Sequence, residues 1–199
     1  MQSVGDKFNW WFGVVEDRND PLKLGRVRVR CYGWHTDNLG KIPTNTLPWA
    51  QPIQSITSGA MGNIGESPTG IVEGTWVVGF FIDGDDAQRP IIMGTLAGIP
   101  TSLPTTNKGF NDPNEVYPNR VDEPDVNRLA RNDSDKPHAV LNKKENDRTK
   151  GVTVANSSDT WNELESKYAA EYPKNQVRET ESGHIKEFDD TENNERIHE

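Results

Sequence analysis

The stretch Gly13 to Gly33, GVVEDRNDPLKLGRVRVRCYG, constrains this chain more than any other part of it. Two runs of strand-forming residues flank a polar turn: Val14 and Val15 lead into Glu16, Asp17, Asn19, Asp20 and Pro21, and Gly25 releases the chain into Arg26 to Tyr32. Successive strand side chains point to opposite faces of a sheet. Val27, Val29 and Cys31 therefore share one face, and Arg26, Arg28 and Arg30 share the other. A hairpin with one apolar face is the seed of a small β-barrel.

Further short strands follow at barrel-like spacing. An aromatic-rich run, Phe8 to Val15, comes first, with Gly13 expected at a bulge or bend. Trp49 to Ile56 is a third strand whose Pro52 calls for an edge or a bulge. A glycine-rich loop, Ser58 to Gly70, precedes Thr75 to Ile82, which is apolar on both faces. The turn Asp83 to Gln88 leads into a fifth strand, Pro90 to Leu96. Five short strands with turn signals predict a closed five-stranded barrel of the OB type over residues 1–100.

The remainder has a different texture. Hydrophobic residues are 32% of the whole, yet five of six Trp and four of six Phe precede residue 101, so only the first half can build a core alone. Residues 1–100 carry 8 Lys and Arg against 10 Asp and Glu; residues 101–199 carry 14 against 21, most of the net charge of −9. Such a balance disfavours a phosphate-backbone partner, which needs clustered positive charge. Residues 101–157 read as an extended polar linker. A short helix is expected over 158–173, where Thr160 and Glu163 have capping-box spacing and Trp161, Leu164, Tyr168 and Tyr172 form a stripe that needs a docking surface. Residues 174–199 read as two short strands about a turn at Asp189 to Asn194. The longest apolar run, Trp76 to Ile82, is far short of the roughly 20 residues of a spanning helix, and no signal-peptide pattern opens the chain.

Catalytic and ligand motifs are missing from the pattern. The glycine-rich loop lacks the Gly-Lys-Ser/Thr and following helix of a phosphate loop. Asp83, Asp85 and Asp86 lack the bidentate twelfth-position glutamate of a calcium loop, where Gly94 stands instead. His35, His138, His184 and His198 have no metal-ligand spacing, and single Cys31 on an apolar strand face reads as a buried thiol. No Gly-x-Ser-x-Gly elbow occurs, Ser182 and His184 are poorly placed on one extended strand, and Asp189 and Asp190 read as surface charge. No catalytic residue, cofactor or metal is expected.

The motifs FGVVEDRNDPLKLGRVRVRCYGWH, IPTNTLPWAQPIQSIT, GAMGNIGESPTGIVEGTWVVGFFIDGD and QRPIIMGTLAGIP, in that order, resemble the N-terminal OB domain of the baseplate central spike family of T-even-type contractile phage tails, also called tail-associated lysozymes. YPKNQVRETESGHIKEFDDTENNERIHE resembles the family's lead into its trimeric β-helical needle, and VgrG-type spikes are wider relatives. The resemblance covers roughly residues 8–100 and 161–199. Between these blocks the family carries a lysozyme domain, whereas here about 60 polar residues fill the gap and no catalytic Glu/Asp constellation maps onto them. The needle is also missing, as expected of a shorter spike or of part of a longer chain. The resemblance implies a non-enzymatic virion protein of the tail baseplate, made in the host cytoplasm: a homotrimer joining a hub ring above to a needle below, which contacts the bacterial envelope during infection. Its C-terminal strands would begin an intertwined trimeric β-structure. Arg26, Arg28, Arg30, Trp161, Leu164, Tyr168 and Tyr172 are the candidate protein-interface residues, with no nucleic acid among the partners.

Two other readings compete. The arginine stripe and nearby aromatics fit a single-stranded nucleic-acid-binding OB protein, if those arginines are exposed. A cell-wall-degrading enzyme is the third, and the missing catalytic pair speaks against it.

Overall fold

The computed structural model describes residues 9–113, 115, 121–133, 152–153, 160–161 and 168–199. The alternation in the hairpin is realised as two antiparallel strands, β1 (Asn9–Asp17) and β2 (Val27–Cys31), with Gly13 opposite Cys31 and Val15 opposite Val29. The register runs straight through Gly13, and the bulge lies two residues later, between Val15 and Asp17. Gly13 is required for a different reason than the expected bend: a Cβ there would come within 2.5 Å of Val29 Cγ1 and 2.6 Å of the Arg30 carbonyl oxygen.

β3 (Trp49–Pro52), β4 (Trp76–Phe81) and β5 (Pro90–Leu96) complete a closed barrel in the order β1-β2-β3-β5-β4. β3 is shorter than expected and runs parallel to β5, with Pro52 beside Ile92; beyond Pro52 only the Ile53 N–H continues the ladder, donating to the Ile92 carbonyl. Inward-facing Trp11, Val15, Val27, Val29, Cys31, Ala50, Val77, Phe81 and Ile92 form the core. Each comes from an alternating strand position, so the two-residue period sets both the barrel and its filling.

The polar residues after the barrel do not run free. The chain divides into two units, Met1–Asp125 and Val126–Glu199, and the first extends 25 residues beyond the expected barrel boundary at residue 100. The Asp122 N–H donates to the Pro100 carbonyl and the Asp125 N–H to the Gly98 carbonyl, clasping the base of an excursion. Its tip returns to the barrel, where the Gly109 N–H donates to the Asp37 carbonyl and the Phe110 N–H to Glu16.

In the second unit a one-turn helix, α1 (Arg128–Arg131), is capped by the Asn127 side chain, which accepts from the Leu129 N–H. β6 (Val152–Thr153) pairs with β7 (Thr160–Trp161), and β8 (Asn175–Glu179), β9 (Ile185–Asp189) and β10 (Arg196–His198) form an antiparallel sheet with β9 in the middle. The helix expected over 158–173 is corrected where it can be seen: Thr160 and Trp161 are strand, 168–171 are irregular, and Tyr172 opens a turn. Pairing with Val152 and Thr153 satisfies the backbone of Thr160 and Trp161 in place of a helical turn. Residues 158–159 and 162–167 of that expected helix lie outside the described residues, among which a short helix stands at Arg128–Arg131. The C-terminal stretch holds three strands where two were expected, because Glu181–Ser182 makes a turn before β9. Ser182 and His184 thus flank a turn.

Because the 109–112 tip completes the hydrogen bonding of a buried barrel residue, a chain ending at residue 100 is expected to melt well below one ending at residue 125. Circular dichroism melts of the two truncations check this.

Candidate protein interface

β2 sends its arginines outward, and the chain answers each of them. The turn before β2 folds around Asp20, whose carboxylate accepts the N–H groups of Leu22, Leu24 and Arg26 and the Arg26 guanidinium at 2.7 and 3.1 Å. The Arg26 side chain holds the Asp20 carboxyl far below its ordinary range, against the opposing effect of burial. Arg28 lies 3.5 Å from the Asp17 carboxylate and 4.3 Å over the Trp49 ring, and donates to the Leu47 carbonyl.

Arg30 is fully buried. Its Nε and one terminal nitrogen donate to the two oxygens of Glu16 at 2.7 and 3.0 Å, and the remaining donors reach the Thr36 and Ile42 carbonyls. Glu16, 1% exposed, also accepts from the Thr44 hydroxyl and the Phe110 N–H. A buried pair is tolerated when its polar atoms are met, and here each nitrogen of Arg30 and each oxygen of Glu16 has a hydrogen-bond partner. Above it, Phe110 stacks on Tyr32 at 3.9 Å and Tyr32 on Trp76 at 5.4 Å. Next to the pair, His35 Nδ1 accepts the Cys31 N–H, which requires a neutral ring; burial, then Arg30, lowers its pKa, with Glu16 opposing. Burial pushes the Cys31 thiol up, which keeps it protonated and inert.

The same outer surface changes character across β1, β4 and β5. Trp10 and Phe12 stand out from β1 at 53% and 54% exposure, and Trp76, Met93 and Leu96 are exposed beside them. Trp10 meets Phe80 edge-on at 6.2 Å. Sequence reasoning passed over this surface, although Trp10-Trp11-Phe12 holds its signal: strand alternation can bury only the middle ring.

The second unit puts its charges inside. Glu187 on β9 takes hydrogen bonds from Asn175 at 2.6 Å and from Arg196, which meets both oxygens at 2.8 Å, and His198 Nδ1 lies 3.4 Å away. Asp189 accepts from the Thr191 N–H and hydroxyl. Arg196 lies 4.7 Å over Tyr168, whose hydroxyl donates to the Leu129 carbonyl and whose pKa burial pushes up to about 12. Facing the other way, one cross-strand row holds Gln176, Phe188 and Ile197, with Ile197 71% exposed. The expected aromatic stripe is therefore divided: Tyr168 is part-buried in a polar cluster, Tyr172 is exposed, Trp161 sits on β7, and Leu164 lies outside the described residues. Among the described residues, no three His, Cys, Asp or Glu side chains are grouped to hold a metal ion.

A five-stranded barrel whose arginine face is met by its own chain, followed by a three-stranded antiparallel sheet, defines an OB-fold module. The sequence comparisons name the family. The family model described as the Gp5 N-terminal OB domain matches residues 33–177, and the chain belongs to that family of phage baseplate spike proteins. It is 46% identical to Protein Gp5 of Vibrio phage KVP40 over 224 aligned residues, covering 97% of this chain and 53% of that protein. It is 50% identical over 127 residues to the pre-baseplate central spike protein Gp5 of Enterobacteria phage T4, covering 61% of this chain and 22% of that protein. The chain thus spans about half the length of the first relative and about a fifth of the second.

Two outcomes test the electrostatics. Glu16→Gln or Arg30→Met alone should cost about 3–5 kcal/mol, because each leaves a buried charge unpaired, whereas the double change to Leu and Met should cost less than the sum of the two; urea titration measures all three. For Asp20, whose folded pKa is depressed, the stabilisation is full above its ordinary value of 3.8 and drains away as pH falls toward the lower folded value. Asp20→Asn should therefore destabilise strongly at pH 7 and progressively less in denaturation series run from pH 4 to pH 2.

Proposed function

We propose that this chain is the trimeric adaptor of a contractile tail baseplate, linking a hub ring to a membrane-piercing spike and passing the thrust of contraction between them. The observation that carries the reading is the second unit's sheet, which buries Glu187 and Asp189 beside a partly exposed Arg196 and leaves Phe188 and Ile197 exposed. A sheet that packs only on its own unit turns its large apolar residues toward that unit's core. Phe188 and Ile197, exposed side by side on short strands, fit packing against other copies about a threefold axis. The barrel's exposed aromatic surface gives a second place for a protein partner, and the match to Gp5 relatives supports the baseplate as the setting.

In this reading the chain is mechanical. The family model that matches is that of the OB domain. The nucleic-acid alternative needs the β2 arginines in solvent. Arg30 is buried and Arg26 and Arg28 are 19% and 18% exposed, each beside a carboxylate of its own chain.

Native mass spectrometry of the full-length protein is expected to show a trimer. Ile197→Lys should reduce that species at least tenfold while leaving the barrel's melting transition in place. A monomer under the same conditions would overturn the adaptor reading, and clearing of a peptidoglycan zymogram would overturn its non-enzymatic part.

A further inference from the structure

The outer face of β2 holds a feature that neither the adaptor role nor the barrel's core requires. The tip of the 101–121 excursion is bound there as a ligand is bound, through atoms that select for its identity. The Phe110 ring lies nearly parallel on Tyr32, 22° off plane, and Tyr32 rests on Trp76 at 12°, so an aromatic ring is read by a two-ring platform. The Phe110 N–H donates at 2.7 Å to Glu16, a carboxylate held in place by Arg30 and Thr44. The Gly109 N–H donates at 2.8 Å to the Asp37 carbonyl, and a Cβ at Gly109 would sit 2.1 Å from Arg30 Nε, so the residue before the ring must be glycine.

The bound segment carries its own turn. Phe110 has φ of +65°, a left-handed conformation that a side-chain-bearing residue adopts only when its surroundings impose it. The Asn111 side-chain amide donates to the Gly109 carbonyl at 3.0 Å and stabilises that turn from within. Among the described residues no strand pairing joins the tip to the barrel; Gly109 and Phe110 are held by two N–H groups, one ring and a glycine's close approach, and Asp112 is buried just beyond them. That chemistry does not depend on the covalent connection.

We propose that this face, formed by Glu16, Arg30, Tyr32, Asp37 and Trp76, is a peptide-recognition site for a glycine-aromatic turn, and that Gly109–Phe110 is its resident ligand. The strap holds the site by effective concentration, which for a short tether is on the order of millimolar. A free peptide of the same chemistry therefore gains access once the strap's ring is removed.

The test uses the full-length chain, 15N-labelled, with Phe110→Ala, titrated with a synthetic peptide of residues 105–113 and followed by NMR. Expected are saturable shifts at Tyr32, Asp37 and the Trp76 indole, at least tenfold weaker binding to the unmutated chain, and no saturation with peptides carrying Phe110→Ala or Gly109→Ala. If a folded Phe110→Ala chain shows no shifts, or shifts equally with the altered peptides, the site is packing without recognition and the proposal fails. Should Phe110→Ala not fold, Phe110→Leu, which keeps bulk but not the ring, is titrated with the same peptides and judged by the same outcomes. Neither result bears on the oligomeric state, so the adaptor reading stands or falls separately.

Discussion

The ion pair between Glu16 and Arg30 is the constraint around which the first unit is arranged. Neither side chain reaches water, so each of its hydrogen-bonding groups has to be met by protein. Two bonds are mutual and the others come from Thr36, Ile42, Thr44 and Phe110. The irregular 33–48 excursion and the distant 109–110 tip are therefore held in place by the same two residues. A hydrophobic patch could have covered β2 more cheaply, but it would not dictate which carbonyls and N–H groups must approach. The pair fixes the path of coil that has no periodicity of its own.

The barrel was legible because a strand's face assignment is local. Val27, Val29 and Cys31 point inward as their spacing requires, and five of the expected strands exist close to where turn residues mark their ends. The covering of the arginine face was less legible. That Glu16 belongs opposite Arg30 follows from hairpin register, which places Val14 beside Arg30 and puts Glu16 next along the same face of the bulged strand. That Phe110 returns across 94 residues to Glu16 follows from nothing local. Its only sequence signal is a lone Gly-Phe in a polar segment, and a polar composition does not distinguish an extended linker from one held in place through backbone groups.

The misplaced helix has a related cause. Trp161, Leu164, Tyr168 and Tyr172 show helical spacing, but spacing alone does not supply the surface that a helix must pack against. Thr160–Trp161 instead satisfies its backbone by pairing with Val152–Thr153, and Tyr168 takes part in a polar cluster through its hydroxyl and its ring face. A side chain that is half aromatic and half polar fits an apolar stripe and a charged pocket equally well in sequence. Only the carboxylates and Arg196 on the neighbouring strands decide between them, and these lie about 20 to 30 residues further along the chain.

The two units resolve buried charge in opposite ways, and the difference bears on how each relates to partners. In the first, Glu16 and Arg30 face each other, each nitrogen and oxygen of the pair is hydrogen-bonded within the unit, and aromatic rings stand exposed on β1 and β4. In the second, Glu187 and Asp189 share the single guanidinium of Arg196, with His198 alongside, and Asp189 Oδ2 and Asn175 Oδ1 are buried without a hydrogen-bond partner among the described residues. Each of these unmet acceptors retains much of its desolvation cost. The Glu16–Arg30 pair is thus completed by its own chain, down to the residue that must be glycine. The sheet that follows leaves Phe188 and Ile197 exposed in one row and two acceptors unmet inside, and it is on these features that the proposed packing against other copies rests.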